Sequence, residues 1–406
     1  MRNDDEMNNT NPEGTEENAG QQDHSAYMPA SSKETSSEEI ASETTPEQSE
    51  AADTPAPADT PAPAETPVES TETVTPPVGS GTGFGFERQN SDLLWVAQKV
   101  SDVRNELAKY VIGQSEMVDL LLTGIFANGH ILLEGVPGVA KTLSAKVLSK
   151  SLKVDFSRIQ FTPDMMPSDV IGTSVFNMND AKFTFKKGPI FSNIVLIDEI
   201  NRAPAKTQAS LFEVMEERQI TYDGERYPMA FPFLVIATQN PIEQEGTYSL
   251  PEAQLDRFLF KIKLGYPEQH EEEQILTRYK NNIKPPSLDD VNAIFDADEV
   301  QKIQDTVEKV IVEDNLVKYI AALIHKTRNH GKIYLGGSPR ASLAILRSSK
   351  AMAAIRGRDF VTPEDIQFVA IHVLNHRLIM TPEAEMEGVT TEDIVKEIVQ
   401  TLEVPR

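Results

Sequence analysis

The sequence predicts an α/β protein with three parts: a disordered N-terminal arm, a core built on a doubly wound parallel sheet, and an all-helical domain that follows it. Three observations predict this. Short apolar runs alternate with helical segments through the middle of the chain, strand-like runs stop after Tyr266-Pro267, and the composition changes near position 92.

The core is expected over residues 93–265. Residues 131–134, 157–161, 194–197, 233–238 and 258–264 are short apolar runs that read as strands, and segments such as 205–218 read as the helices between them. Strands alternating with helices make parallel crossovers, and so a sheet covered on both faces. Two intervals look like insertions. Residues 169–189 contain strand-like pieces of their own, and residues 220–232 contain Asp223-Gly224, a hairpin turn pair. Residues 266–406 read as the helical domain, with Ser338-Pro339 and Thr362-Pro363-Glu364-Asp365 as helix starts. Each supplies a hydroxyl cap followed by proline at the first helical position.

Residues 1–92 are rich in Glu, Ser, Thr, Pro and Ala, with a repetitive Ala-Pro run between Thr54 and Pro67. Few large apolar side chains are available to offset the entropy of ordering, so this arm is expected to be disordered and to end in the flexible stretch 79–85. Its first 80 residues hold 18 acidic against 2 basic side chains, −16 of the net −25, which leaves −9 on the remainder. That acidic balance and the absence of an aromatic-plus-basic stripe count against nucleic acid as partner.

The chain of 406 residues has no Cys, which excludes thiolate chemistry and fits a reducing compartment. Met1-Arg2-Asn3-Asp4-Asp5-Glu6 offers no apolar signal segment, and no apolar run approaches the roughly 18 residues of a membrane span, so cytoplasmic residence is expected. None of the 7 histidines lies in an HExxH pattern, and no strand-linked glycine fingerprint for a dinucleotide is present. His130 is expected to serve as a turn or packing residue.

Candidate chemistry begins at Gly135-Val136-Pro137-Gly138-Val139-Ala140-Lys141-Thr142, directly after one expected strand and before a helical stretch. That context is the one a phosphate-binding loop needs. Its glycines let backbone N–H groups turn around phosphate oxygens, Lys141 reaches the β and γ phosphates, and Thr142 offers an oxygen to Mg²⁺. Ala140 replaces the second fixed glycine. The change is tolerable where the backbone is already helical and harmful where φ must be positive.

The run 194–197 ends in Asp198-Glu199, two carboxylates at the edge of the sheet where ligands of such folds bind. Asp198 is expected to hold Mg²⁺, partly through water, and Glu199 to orient and polarise the attacking water. A further strand ends in Gln239-Asn240-Pro241, and Asn240 there could hydrogen-bond the γ phosphate or the water; a turn role for Asn-Pro is the alternative.

These segments, with Val111-Ile112-Gly113-Gln114, Ala237-Thr238-Gln239-Asn240-Pro241 and the run from Glu245 through Leu255-Asp256-Arg257-Phe258, resemble the MoxR family of AAA+ ATPases over about 300 residues. Ala140 is the form this family uses. The resemblance implies a P-loop AAA+ core with a helical lid, ATP and Mg²⁺ as cofactors, Asn240 as first sensor and Arg257 as an arginine finger reaching a neighbouring subunit. It further implies Arg340 as second sensor on the lid, adenine against Val111 and Ile112, and the two insertions as contact surfaces. A chaperone-like remodeller of protein complexes follows, hexameric when active, with a protein client or a von Willebrand-type A domain partner. A nucleic-acid motor or loader, or a slow nucleotide-gated binding switch, are the competing functions.

Overall fold

The computed structural model describes residues 83–179, 181–241, 247–280 and 286–405, with side chains from residue 91 onward. All of them fall within one unit, Pro77–Arg406. The reading of residues 1–82 as a disordered arm lies outside the described residues. Its last stretch is different: residues 83–92, expected in the arm, begin helix α1 (Gly83–Ala108). Leu93, Val96, Val100, Val103 and Leu107 recur along that helix at three- and four-residue spacing and are buried, so the helix is held by one apolar stripe.

After α2 (Ser115–Phe126) the chain enters β1 (His130–Gly135), α3 (Lys141–Ser151) and β2 (Phe156–Gln160). A short α4 (Pro167–Ile171) leads into the hairpin β3 (Gly172–Asn177) and β4 (Lys182–Lys187), followed by β5 (Ile194–Asp198) and α5 (Ala205–Glu217). A second hairpin, β6 (Gln219–Tyr222) and β7 (Glu225–Pro228), precedes β8 (Leu234–Gln239), α6 (Glu252–Leu255) and β9 (Phe258–Leu264). All five expected core strands form, and both expected insertions are antiparallel hairpins standing outside the sheet. Asp223 and Gly224 both take positive φ, 50° and 82°, as a tight hairpin turn demands.

The core sheet is parallel throughout, in the order β2-β5-β8-β1-β9. Because strand side chains alternate, each central strand feeds two cores. Ile131 and Leu133 of β1 face the cluster shared with α1, α2 and α3, whereas Leu132 faces the one built on α5. Strand order positions the chemistry. β8 lies between β1 and β5, so the residues ending β8 are inserted between the loop after β1 and the carboxylates ending β5.

The helical domain comprises α7 (Gln269–Tyr279), α8 (Ala297–Glu308), α9 (Asp314–Arg328), α10 (Pro339–Ile355), α11 (Pro363–Leu374), α12 (Pro382–Met386) and α13 (Thr391–Thr401). One short antiparallel pairing, β10 (Ile333–Leu335) with β11 (Ile379–Met380), interrupts it. Both proline-led helices start where expected, yet the Ser338 hydroxyl makes no capping bond and is buried without a partner. At α11 the Asp365 carboxylate accepts from the Thr362 N–H at 2.9 Å and also binds Arg356 and Arg358, at 2.7 and 2.6 Å. No helix among the described residues is long and apolar enough to cross a membrane.

Candidate active site

The loop after β1 wraps a cleft of about 390 Å³ lined by Gly138, Ala140, Lys141, Thr142, Asp198, Glu199, Thr238 and Asn240, among others. Gly138 has φ 91°, which only glycine adopts freely, and a Cβ on Gly135 would lie 2.8 Å from the Leu264 carbonyl of β9. Ala140 has φ 61° and ψ 18°. Its backbone is therefore left-handed, not helical as the replacement of glycine would prefer, and the conformation costs on the order of 1–2 kcal/mol. The turn is imposed by the parallel strand on one side and the first turn of α3 on the other. Lys141 lies across the mouth of the loop, its ammonium donating to the Gly135 carbonyl at 2.5 Å and the Gln239 carbonyl at 3.3 Å.

The Thr142 hydroxyl stands 3.3 and 3.4 Å from the two Asp198 oxygens, so the two expected metal-binding residues meet. A hydroxyl beside a carboxylate is the hard-oxygen donor set that suits Mg²⁺. Asp198 also accepts from the Thr238 hydroxyl at 3.1 Å and pairs with Arg158 at 2.6 Å. Glu199 has φ 58°, a left-handed residue on the strand exit, and its backbone N–H donates to the Thr238 oxygen at 3.0 Å. Gln160 and Arg202 hold its carboxylate at 2.8 and 2.9 Å. Asn240 is buried in the same cleft.

Four residues of this network escaped the sequence reading: Arg158, Gln160, Arg202 and Thr238. A signal existed for two of them. Arg158 and Gln160 are polar residues two apart on β2, hence on one side of a strand whose neighbour β5 ends in the carboxylates, with Gln160 in register with Asp198. Thr238 gave none, because its hydroxyl became meaningful only when β8 was inserted beside β5.

Val111 and Ile112 do not reach this cleft. Val111 is buried in the core, and both line a separate pocket of about 400 Å³ with Gly113, Arg104 and Arg278. Glu271 presses its carboxylate against Gly113, where a Cβ would meet it at 2.4 Å.

Arg257 and Arg340 are likewise absent from the phosphate-loop cleft. Together with Arg218, Arg347 and Arg377 they line another, of about 350 Å³. Arg257 donates to the Phe212 carbonyl and lies over the Phe212 ring, whereas Arg340 pairs with Glu216 at 2.5 Å and approaches Asp256 at 3.5 Å. The two arginines expected to attend a γ phosphate are thus brought together, but away from their own chain's loop.

His130 is a packing residue. It is buried, its Nδ1 accepts from Val235 N–H at 2.9 Å and its Nε2–H donates to the Met215 carbonyl at 3.0 Å, tying β1 to β8 and α5. Burial, reinforced by the Arg218 charge, lowers its pKa to about 4. No cluster of metal-binding side chains of the His, Asp and Glu type occurs among the described residues.

Comparison with known proteins agrees with this architecture. Residues 130–260 match the ATPase family associated with various cellular activities, and residues 325–398 match the AAA lid domain. The chain is 45% identical over 297 residues to the uncharacterised protein YeaC of Bacillus subtilis, covering 73% of this chain and 92% of that one. It is 42% identical over 310 residues to chaperone MoxR1 of Mycobacterium tuberculosis, covering 74% and 81% respectively. A crystal structure of a protein from Cytophaga hutchinsonii assigned as an ATPase superposes with a TM-score of 0.73 at 44% identity, over 80% of this chain and 100% of the other. With a phosphate loop and paired carboxylates in one cleft, a lid domain following the core in the chain and such relatives across most of its length, the chain belongs to the MoxR family of AAA+ ATPases.

Proposed function

We propose that the protein hydrolyses ATP with Mg²⁺ and uses the energy to remodel or mature protein complexes, as a ring that is hexameric when active. The observation that carries the hydrolytic part is the meeting of Thr142 with Asp198 at 3.3 Å, which joins the phosphate loop to the strand-end carboxylates. Lys141 and the loop N–H groups bind the phosphates, and Glu199 orients the attacking water and takes up its proton. Asn240 donates toward the same water or the γ phosphate. Mg²⁺, held from Thr142 and Asp198, would neutralise charge on the phosphate oxygens.

The grouping of Arg257 with Arg340 in a second cleft supports a shared site, in which both serve the nucleotide of a neighbouring subunit. Adenine against Val111 and Ile112 belongs to the same reading, as does cytoplasmic residence in a reducing compartment.

For the client we favour protein, held in part by the β3–β4 hairpin. Phe176, Met178 and Phe183 stand 48, 87 and 71% exposed there, with the two phenylalanine rings packed edge to face, an apolar cluster of the kind that serves as a contact surface. The chaperone name of the Mycobacterium tuberculosis relative is consistent with that reading. A von Willebrand-type A domain partner remains part of the proposal through the family. One observation favours the nucleic-acid alternative: β4 reads Lys-Phe-Thr-Phe-Lys-Lys, a short basic-aromatic strand, which corrects the expectation that no such stripe is present.

Turnover against protein concentration tests the ring. Activity per chain should fall on dilution below assembly, and Arg257→Ala should cost about 10³ to 10⁵ in rate. Turnover that is flat on dilution to monomers and survives Arg257→Ala would remove the ring mechanism.

A further inference from the structure

We propose that Arg377, just past the end of α11 in the helical domain, is the positioning residue that aims Arg257; the proposal rests on the reading of Arg257 as a finger acting on the neighbouring subunit. The Arg377 side chain is 4% exposed. Its guanidinium spends its N–H donors on five bonds. Nε donates to Asp256 Oδ1 at 2.6 Å, Nη1 to the Leu259 and Val373 carbonyls at 3.1 and 2.6 Å, and Nη2 to the Asp256 and Phe258 carbonyls at 3.1 and 2.6 Å. Three of those carbonyls belong to residues 256, 258 and 259, so one side chain from the helical domain grips the backbone on both sides of Arg257.

Packing alone does not account for such a residue. A buried charge is costly, and an apolar side chain of similar volume would serve packing as well or better. What the planar fork provides is direction: several bonds in one plane fix the peptides they bind. β9 is an edge strand, and Asn375 also donates to the Lys261 carbonyl at 2.8 Å, so the helical domain covers that edge. That contact does not touch residue 257. Arg377 does more, because the carboxylate it holds, Asp256, also approaches Arg340, which in turn pairs with Glu216 of α5. Arg257 rests on Phe212 of the same helix. Arg377 and Asp256 thereby set the finger and the lid arginine as one body, so that a shift of the helical domain moves both.

The test uses the full-length assembled protein. Arg377→Lys keeps a buried positive charge but loses the fork, and Asp256→Asn loosens the same grip with Arg377 intact, should the first variant not fold. Each should lower kcat about 10²-fold, the scale of a displacement of roughly 1 Å near reacting groups, with KM for ATP unchanged. Each is then mixed with Glu199→Gln protein, which has an inert site of its own but an intact finger to offer. Mixed rings should recover turnover, as should a control mixture of Arg257→Ala with Glu199→Gln.

Recovery in the control but not with Arg377→Lys or Asp256→Asn would reduce Arg377 to a fastener of its own chain's domain and overturn the inference alone. Failure of the control would overturn the neighbour-acting reading of Arg257, and the inference with it. Unchanged kcat in both variants would also overturn the inference.

Discussion

Thr238→Val is the perturbation whose cost can be worked most directly from the site. The substitution is nearly isosteric and exchanges one hydroxyl for one methyl at a residue 3% exposed. That hydroxyl donates to Asp198 at 3.1 Å and accepts from the Glu199 N–H at 3.0 Å. Losing a bond to a charged group costs about 1.5–3 kcal/mol, and leaving a backbone N–H unsatisfied costs about 1–3 kcal/mol more. The added methyl returns about 0.8 kcal/mol. A net loss of about 3 kcal/mol should lower Tm by roughly 6 to 12 °C for a core of this size. Turnover should fall as well, since the left-handed backbone at Glu199, φ 58°, loses the bond that restrains it. Thermal unfolding and ATP turnover on the same preparation check both. A variant within about 1 °C of the parent and fully active would refute the claim that Thr238 sets the geometry of the carboxylate pair.

Further expectations concern chemistry, pH and client. Glu199→Gln should lower turnover by about 10² to 10⁴ while retaining nucleotide uptake, measured by single-turnover kinetics and calorimetry; unaltered turnover would assign the proton transfer elsewhere. His130 has a folded pKa of about 4 against an ordinary 6.5, so its contribution to stability is full above about 6.5 and is lost as pH falls toward 4. At pH 5 the loss is about 2 kcal/mol, and His130→Gln should flatten the fall in Tm between pH 7 and pH 5; an identical slope in both proteins would contradict it. Phe176→Ser with Phe183→Ser should leave basal turnover intact and abolish stimulation by an unfolded test polypeptide. Salt-sensitive stimulation by single-stranded DNA in the parent protein would instead promote the nucleic-acid reading.

Much of the site was legible because it sits on strand ends. Apolar runs announced all five core strands, and residues bearing chemistry directly after such runs, Lys141 and Thr142, Asp198 and Glu199, Asn240, had to emerge at one edge of a parallel sheet. Both hairpin insertions were legible for a related reason, as breaks in a regular alternation. The start of α1 was not: residues 83–92 sit beside a polar, glycine-rich stretch, and their helix is extended from a stripe that begins at Leu93.

What the sequence by itself determined, then, is local: periodicity sets which segments are strands, and a short motif sets which backbone groups can surround a phosphate. Tertiary structure alone decided the partners. The insertion of β8 beside β5 delivered Thr238 to Asp198, the register of β2 with β5 delivered Arg158 and Gln160, and the docking of the helical domain on β9 delivered Arg377 to the peptides around Arg257. Residues 119 to 121 positions apart meet there, and no window along the chain contains a contact of that separation. Arg257 directly precedes β9, whose first residue pairs with His130 at the start of β1, so parallel pairing alone puts it at the strand end opposite the phosphate loop; the docking of the helical domain then brings Arg340 beside it.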